Sequence, residues 1–213
     1  MITTDQANGH KNGPAKDAAA AGTSGQTRTK ERVVTRGTVW FTGLSGAGKT
    51  TVASTLKGLL DLEDVRTFLL DGDLLREGLN SDLGFAEEDR VENVRRVGEV
   101  ALLFATVGHL SLVTVISPYE AGRTAARARH MALGVPFIEV YVATPLEVCE
   151  SRDPKGLYAR ARRGEVRRFT GVSAPYEVPA DAELELATTG KTPHESASEV
   201  LALLRAKGLV AGG

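Results

Sequence analysis

Between residues 43 and 51 the chain reads Gly43-Leu44-Ser45-Gly46-Ala47-Gly48-Lys49-Thr50-Thr51, which satisfies the spacing Gly-x-x-x-x-Gly-Lys-Thr. Each residue type in that spacing has a chemical use. The glycines let the backbone turn tightly and aim its N–H groups inward at phosphate oxygens. Lys49 supplies a point charge for β- and γ-phosphates, and the Thr50 hydroxyl can hold Mg²⁺. Val39-Trp40-Phe41-Thr42 reads as a strand ahead of the loop, and a helix from Val52 to Leu60 follows it. That helix adds the positive end of its dipole to the same anion site. Strand, loop and helix together imply a nucleoside triphosphate site rather than a glycine-rich turn without chemistry.

Three further groups carry chemistry. Leu70-Asp71-Gly72-Asp73 ends the next apolar run, with Arg76 one turn further on. A carboxylate there can accept the proton of an attacking hydroxyl or hold Mg²⁺ through water. The same two acids can instead cap a turn and the next helix. Asp82-Leu83-Gly84-Phe85 then precedes a helix on which Arg90 and Asn93 share a face. A guanidinium and an amide there can grip a second anionic ligand while Phe85 stacks on a base. The alternative is a solvated, salt-bridged helix face with Phe85 in the core. The third group starts at Arg152-Asp153-Pro154-Lys155, runs through arginines 160, 162, 163, 167 and 168, and ends at Phe169-Thr170-Gly171. It reads as a mobile lid that closes over phosphates and excludes water, or as a solvated charged face.

These groups need a scaffold that brings them to one edge. Apolar runs at 38–42, 67–70, 110–116 and 136–142 are short and rich in Val, Ile, Leu, Phe or Tyr, as strands buried on both faces are; a weaker strand is expected at 183–187. The segments between them read as helices, and Val91, Val94, Val97, Ala101 and Phe104 predict one apolar stripe. Thr144-Pro145-Leu146-Glu147 and Thr192-Pro193-His194-Glu195 each predict a helix start with Thr at N-cap, Pro in the first turn and Glu as capping-box partner. Alternating strands and helices with right-handed crossovers predict an α/β fold: a three-layer α/β/α P-loop domain with a mainly parallel central sheet and a basic lid. Ligands bind outside the carboxyl ends of such strands, where the loop and both acids fall.

The 213 residues suit one domain, placed at 36–213, after an N-terminal tail at 1–35 that holds almost no large apolar side chains and reads as disordered. A net charge of −1 leaves no basic footprint for nucleic acid. The single cysteine, Cys149, permits no intrachain disulfide, suits a reducing cytoplasm and reads as a small buried side chain; histidines 10, 109, 130 and 194 lack metal-ligand spacing. Residues 100–118 carry no formal charge, but Gly108-His109 divides them into a helix end and a buried strand rather than a membrane span. The N-terminus lacks the apolar core of a signal peptide, so a soluble, cytoplasmic protein is expected, without membrane or nucleic acid as partner.

Taken in order, these segments resemble adenylylsulfate kinase over about residues 36–207. The resemblance rests on the P-loop, Asp71-Gly72-Asp73 with Arg76, Asp82-Leu83-Gly84-Phe85, and Asp89-Arg90 with Asn93 and Arg95-Arg96. It continues through Ile116-Ser117-Pro118-Tyr119, the stretch from Thr144 to Cys149, the stretch from Arg152 to Tyr158, Phe169-Thr170-Gly171 and Pro175-Tyr176-Glu177. What it implies is ATP- and Mg²⁺-dependent transfer of the γ-phosphoryl group to the 3′-hydroxyl of adenylylsulfate, giving 3′-phosphoadenylylsulfate and ADP. By that resemblance Gly43, Ser45, Gly46, Ala47, Gly48, Lys49, Thr50 and Thr51 bind the ATP phosphates, with Thr50 on the metal and Arg152 near the ATP base. Lys49 and Asp73 are the catalytic pair, Asp73 being the candidate base. Asp73, Arg76, Phe85, Arg90, Asn93, Ile116, Ser117, Lys155 and Phe169 line the adenylylsulfate pocket, Ser117 as a hydroxyl that shapes it. A homodimer is implied, and any ATP sulfurylase is expected as a separate protein.

Some positions depart from the family pattern. Leu74 stands where many relatives carry Asn beside the base, Glu120-Ala121-Gly122 replaces basic and acidic residues before Arg123, and Ala187-Thr188-Thr189-Gly190 differs near the adenine site. None removes a catalytic group. A kinase for another small hydroxyl acceptor and a nucleotide-dependent switch remain the alternatives. Against the switch, no Asn-Lys-x-Asp guanine-reading motif occurs.

Overall fold

The computed structural model describes residues 35–211. The expected disordered tail lies outside them except for its last residue. Strand β1 (Gly37–Thr42) is buried along its whole length between β3 (Leu110–Thr114) and β4 (Phe137–Val142). Strand β2 (Thr67–Asp71) pairs with the outer side of β3, and β5 (Leu184–Leu186) with that of β4. The order is β2-β3-β1-β4-β5 and every pairing is parallel. The five expected strands are all present, with ends shifted by a residue or two. The largest shift is at β3, which stops at Thr114; Val115 N still donates to Phe41 O at 3.3 Å, and residues 115–118 go on to form a wall of the site described below.

Side-chain alternation along β1 sorts the helices onto two faces. Val39 and Phe41 point to one side, where they share a core with Val52, Leu56 and Leu60 of α1 (Lys49–Asp61) and Val200, Leu201 and Leu204 of α7 (Pro193–Ala206). Trp40 points to the other, against Val94, Val97 and Ala101 of α3 (Glu87–Thr106) and Ala126 of α4 (Glu120–Met131). The result is the three-layer arrangement expected. The shorter α2 (Gly72–Glu77), α5 (Leu146–Arg152) and α6 (Leu157–Arg162) lie close to the site.

Two local expectations are corrected. Val91 is 46% exposed, because Arg90 takes the inward position one residue earlier on the α3 stripe. Thr144 is not a helix cap. Helix α5 begins at Leu146 with Pro145 as its N-cap residue, and the Thr144 hydroxyl turns into the P-loop instead. Thr192 does cap α7: its Oγ1 accepts from Glu195 N at 3.1 Å while Glu195 Oε2 accepts from Thr192 N at 2.7 Å. Thr192→Ala is expected to cost about 1 kcal/mol and to lower the melting temperature by roughly 2–4 °C in calorimetry. An unchanged melting temperature would remove the cap from the account.

Cys149 is buried, and burial pushes its thiol pKa up, consistent with a packing role. Among the described residues no group of three or more His, Cys, Asp or Glu is placed to hold a metal, and no helix is long and apolar enough to cross a membrane.

Candidate active site

Strand β1 hands the chain to the glycine-rich loop at Gly43, and α1 takes it up at Lys49, so the loop stands at the carboxyl edge of the sheet's central strand. Gly43 has φ 143°, and a Cβ there would lie 2.7 Å from the Val142 carbonyl oxygen. Gly46 has φ 74°, and its Cβ would lie 2.9 Å from the carbonyl oxygen of Cys149. Only glycine meets both demands at these positions.

Donors from elsewhere in the chain hold the loop's carbonyls. Thr144 Oγ1 donates to Ala47 O at 2.8 Å and accepts from Thr188 Oγ1 at 2.6 Å. Arg152 Nη1 lies 3.3 Å from both Gly46 O and Ala47 O, and Tyr158 OH donates to Ser45 O at 2.9 Å. In a trans peptide the N–H points away from its C=O, so these contacts turn the Gly46 and Gly48 N–H groups to the opposite side, where they are available to a phosphate, while Ala47 N donates to Leu44 O at 3.2 Å.

Lys49 is buried, and its Nζ donates to Gly43 O at 2.9 Å and Leu44 O at 2.7 Å. Burial pushes its pKa down to about 8, against the pull of the carboxylates Asp73 and Asp71. The protonated form binds phosphate, so ATP affinity is expected to fall as pH rises through about 8. A Lys49→Arg variant, which stays charged, is expected to lose that dependence. ATP titrations across this range check it; a flat wild-type affinity would contradict it.

The two acids after β2 have separate tasks. Asp71 is the N-cap of α2, its Oδ1 accepting from Asp73 N at 3.0 Å and Leu74 N at 3.3 Å. Its Oδ2 accepts from Thr50 Oγ1 at 2.8 Å and Thr114 Oγ1 at 3.0 Å. Burial alone would raise the Asp71 carboxyl, but the hydrogen bonds from Thr50, the Leu74 and Asp73 amides and Thr114 outweigh it and hold its pKa below the ordinary value. Thr50 and Asp71 thus present hard oxygens side by side, a donor set that fits Mg²⁺ with the remaining positions left to water and phosphate. Asp73 makes no cap with its carboxylate. That group is 70% exposed at the cavity and ion-paired with Lys155 Nζ, which comes from the segment after α5.

Beside Asp73, Arg76 Nη1 donates to Leu83 O at 3.2 Å and Gly84 O at 3.0 Å, and its guanidinium lies 4.6 Å from the Phe85 ring centroid. Phe85 is 56% exposed, so the reading that placed it in the core is excluded. Arg90 and Asn93 are buried, whereas Arg95 and Arg96 of the same helix pair with Glu92 and Asp82 at the surface. The solvated face exists, but on other residues. Arg90 donates to Phe85 O, Thr170 Oγ1 and Arg168 O at 3.0, 2.8 and 2.7 Å, which ties the end of the basic segment to the Phe85 loop. Asn93 Oδ1 accepts from Asn80 Nδ2 at 3.0 Å, leaving its own Nδ2 to offer.

Most of these groups line one cavity of about 690 Å³, Asp71, Thr144 and Tyr158 being outside its lining. Of the expected phosphate residues, Ser45, Gly46, Gly48, Lys49, Thr50, Thr51 and Arg152 line it, while Gly43 and Ala47 stand behind as part of the loop. Asp73, Arg76, Phe85, Arg90, Asn93, Ile116, Ser117 and Lys155 line it as well. Phe169 does not: it is buried edge-on against Tyr158, with ring centroids 4.9 Å apart, among the residues of the α1–α7 core. Arginines 160, 162 and 163 also fall outside the cavity lining, because Glu150 and Glu165 pair with them along their own segment. The basic stretch brings only Arg152 and Lys155 to the site, together with Pro154. Leu74, the departure beside the base, is 64% exposed.

The resemblance placed the stretch around Thr188 near the adenine site, and Thr188 does line the cavity; sequence reasoning missed the wall that Lys191, Pro193 and Ser196 add to it. The capping box at Thr192 was the available signal, since it put a helix N-terminus just after β5, at the carboxyl edge of the sheet.

A family model described as adenylylsulphate kinase matches residues 35–187. The adenylyl-sulfate kinase of Marinobacter nauticus is 50% identical over 172 residues, covering 81% of this chain and 85% of that protein. The adenylyl-sulfate kinase of Saccharomyces cerevisiae is 52% identical over 161 residues, covering 76% and 80% respectively. Among solved structures, the Mycobacterium tuberculosis APS kinase CysC in complex with AMPPNP and APS is 50% identical, covers 80% of this chain and 98% of its own, and superposes with a TM-score of 0.78. With the family model matching residues 35–187 and half the residues identical over most of each relative's length, the chain belongs to the adenylylsulphate kinase family.

Proposed function

We infer that the protein transfers the γ-phosphoryl group of ATP to the 3′-hydroxyl of adenylylsulfate, giving 3′-phosphoadenylylsulfate and ADP. The observation that carries this is the single cavity in which the P-loop and the Asp73–Arg76–Phe85–Arg90 group face the same space. A kinase half identical to this chain was solved with AMPPNP and APS together, which supports the same pair of ligands here.

Phosphoryl transfer asks a protein mainly for in-line positioning and for positive charge around a loose transition state. The β1–α1 loop supplies N–H groups and the Lys49 ammonium to the donor's phosphates. Thr50 and Asp71 would hold Mg²⁺, which would supply further positive charge to the donor's phosphates. Arg152 and the wall from β5 to α7 lie on the β4–β5 side of the loop, where the rest of ATP is accommodated. The acceptor enters from the β2–β3 side. Phe85, backed by Arg76, offers a face for its base, and the Arg76, Arg90 and Asn93 donors suit its phosphate and sulfate. Lys155 holds the Asp73 carboxylate at the cavity; the acceptor hydroxyl displaces the ammonium and passes its proton to Asp73 as the new P–O bond forms. Working as a homodimer in the cytoplasm, supplied by an ATP sulfurylase, belongs to this reading through the family resemblance.

The test is ADP release by the purified chain with adenylylsulfate, AMP or gluconate as acceptor. Turnover is expected with adenylylsulfate and not with the other two. Preferred turnover of another acceptor, or ADP release indifferent to any acceptor, would replace this reading with one of its alternatives.

A further inference from the structure

Ser117 is a non-glycine residue with φ 42°, in the left-handed region, and it lies on the cavity wall formed by residues 115–118. Such a conformation persists only where the surroundings over-determine it. Its hydroxyl is locked: Oγ accepts from Trp40 Nε1 at 3.0 Å and donates to Thr42 Oγ1 at 2.9 Å. Its carbonyl is locked by Arg123 of α4, whose Nη1 donates to Ser117 O at 2.8 Å. The same guanidinium sends Nη2 to Glu177 O at 2.9 Å, and its Nε lies 2.7 Å from Glu139 Oε1 of β4 as an ion pair without hydrogen-bond geometry. Glu177 closes the circuit, its N donating to Pro118 O at 2.8 Å.

Arg123 is 1% exposed and Glu139 6%. A buried ion pair is weak evidence for stability, because desolvation offsets much of the attraction. What this pair secures is direction. A planar guanidinium donates to two carbonyls at fixed angles while its charge sits against the carboxylate, which an ammonium does not reproduce. Arg123 is not part of the cavity lining, so it acts on ligands only through the turn it holds. That turn follows β3, the strand beside β2, from whose end the Asp73 segment departs. It therefore shapes the acceptor side of the cavity.

We propose that Arg123, braced by Glu139, is a positioning residue for the acceptor: it fixes Ser117 in its left-handed turn and so sets the 116–118 wall against which adenylylsulfate is aligned. The proposal rests on the activity inferred above and adds to it a residue outside the cavity that sets acceptor affinity without touching either substrate.

The experiment compares steady-state kinetics of the wild type, Arg123→Lys and the charge-free double variant Arg123→Met with Glu139→Gln. In the double variant Arg127 keeps Glu183 as its partner, at 2.6 Å, so no buried charge is stranded. Arg123→Lys keeps the charge opposite Glu139 and remains readable if the double variant does not fold. The KM for adenylylsulfate is expected to rise roughly tenfold in the double variant and several-fold in Arg123→Lys, with the KM for ATP within about twofold of wild type. An unchanged adenylylsulfate KM in a folded variant would overturn the proposal, as would a parallel rise in both KM values. Full retention by Arg123→Lys would overturn the role of the fork. A wild type without adenylylsulfate turnover would instead overturn the activity itself, and the wild-type control separates that result from failure of the brace alone.

Discussion

Lys49→Ala is expected to lower kcat/KM by roughly 10²–10³-fold or more while the protein still folds. Lys49 is the first residue of α1 and the one cation inside the loop of residues 43–50. In the structure its ammonium rests on two loop carbonyls, so it stands at the loop before any phosphate arrives. A triphosphate offers it a stronger, charge-assisted partner, and the charge that grows on the transferring group strengthens the contact further. Folding has little at stake. Burial pushes the ammonium's pKa down to about 8, so at neutral pH the folded state carries a charge its surroundings disfavour. Deletion relieves that cost and offsets the loss of two hydrogen bonds. Circular dichroism and turnover on the same preparation make the check, and a folded variant with full activity would refute the P-loop assignment.

Asp73→Asn is expected to lower kcat by roughly 10²–10⁴-fold, the range of a lost general base. The substitution keeps the size of the side chain but removes its ability to take a proton. The structure makes the test clean. The Asp73 carboxylate is 70% exposed and pairs with Lys155, while the capping and threonine contacts at this corner belong to Asp71. Melting temperature and the KM for ATP are therefore expected to stay near wild type. A variant with almost unchanged kcat would take Asp73 out of the base's role and leave it as an electrostatic partner of Lys155.

The sequence made the sheet readable because its strands are buried on both faces. Continuous apolar runs such as Val39-Trp40-Phe41 have no other stable place in a chain of this size. The phosphate loop was readable because its function is written in adjacent residues. What was not readable depends on partners far along the chain. Thr144-Pro145 and Thr192-Pro193 carry the same local capping signal, yet only Thr192 caps a helix. Thr144 is drawn off by a P-loop carbonyl 97 residues away. Arg90 was read as a grip for an anion and it does line the cavity, but three of its nitrogens also hold the chain around residues 85 and 168–170, a structural task that no local pattern announces. The basic run from Arg160 to Arg163 looked like a phosphate lid because charge alone does not say where a side chain turns; in the structure these arginines pair with Glu150 and Glu165. Phe169 shows the same limit for apolar residues, since a core position and a pocket-lining one look alike until the fold is known.

The central claim is that one cavity carries a phosphoryl group from the donor on the P-loop to a hydroxyl beside Asp73. Incubation of the purified protein with γ-labelled ATP, Mg²⁺ and adenylylsulfate, followed by separation of the nucleotides, tests it directly. The account predicts that the label leaves ATP in step with ADP formation and appears on the 3′-oxygen of adenylylsulfate. Label released as free phosphate, or ADP formed at the same rate without the acceptor, would contradict it.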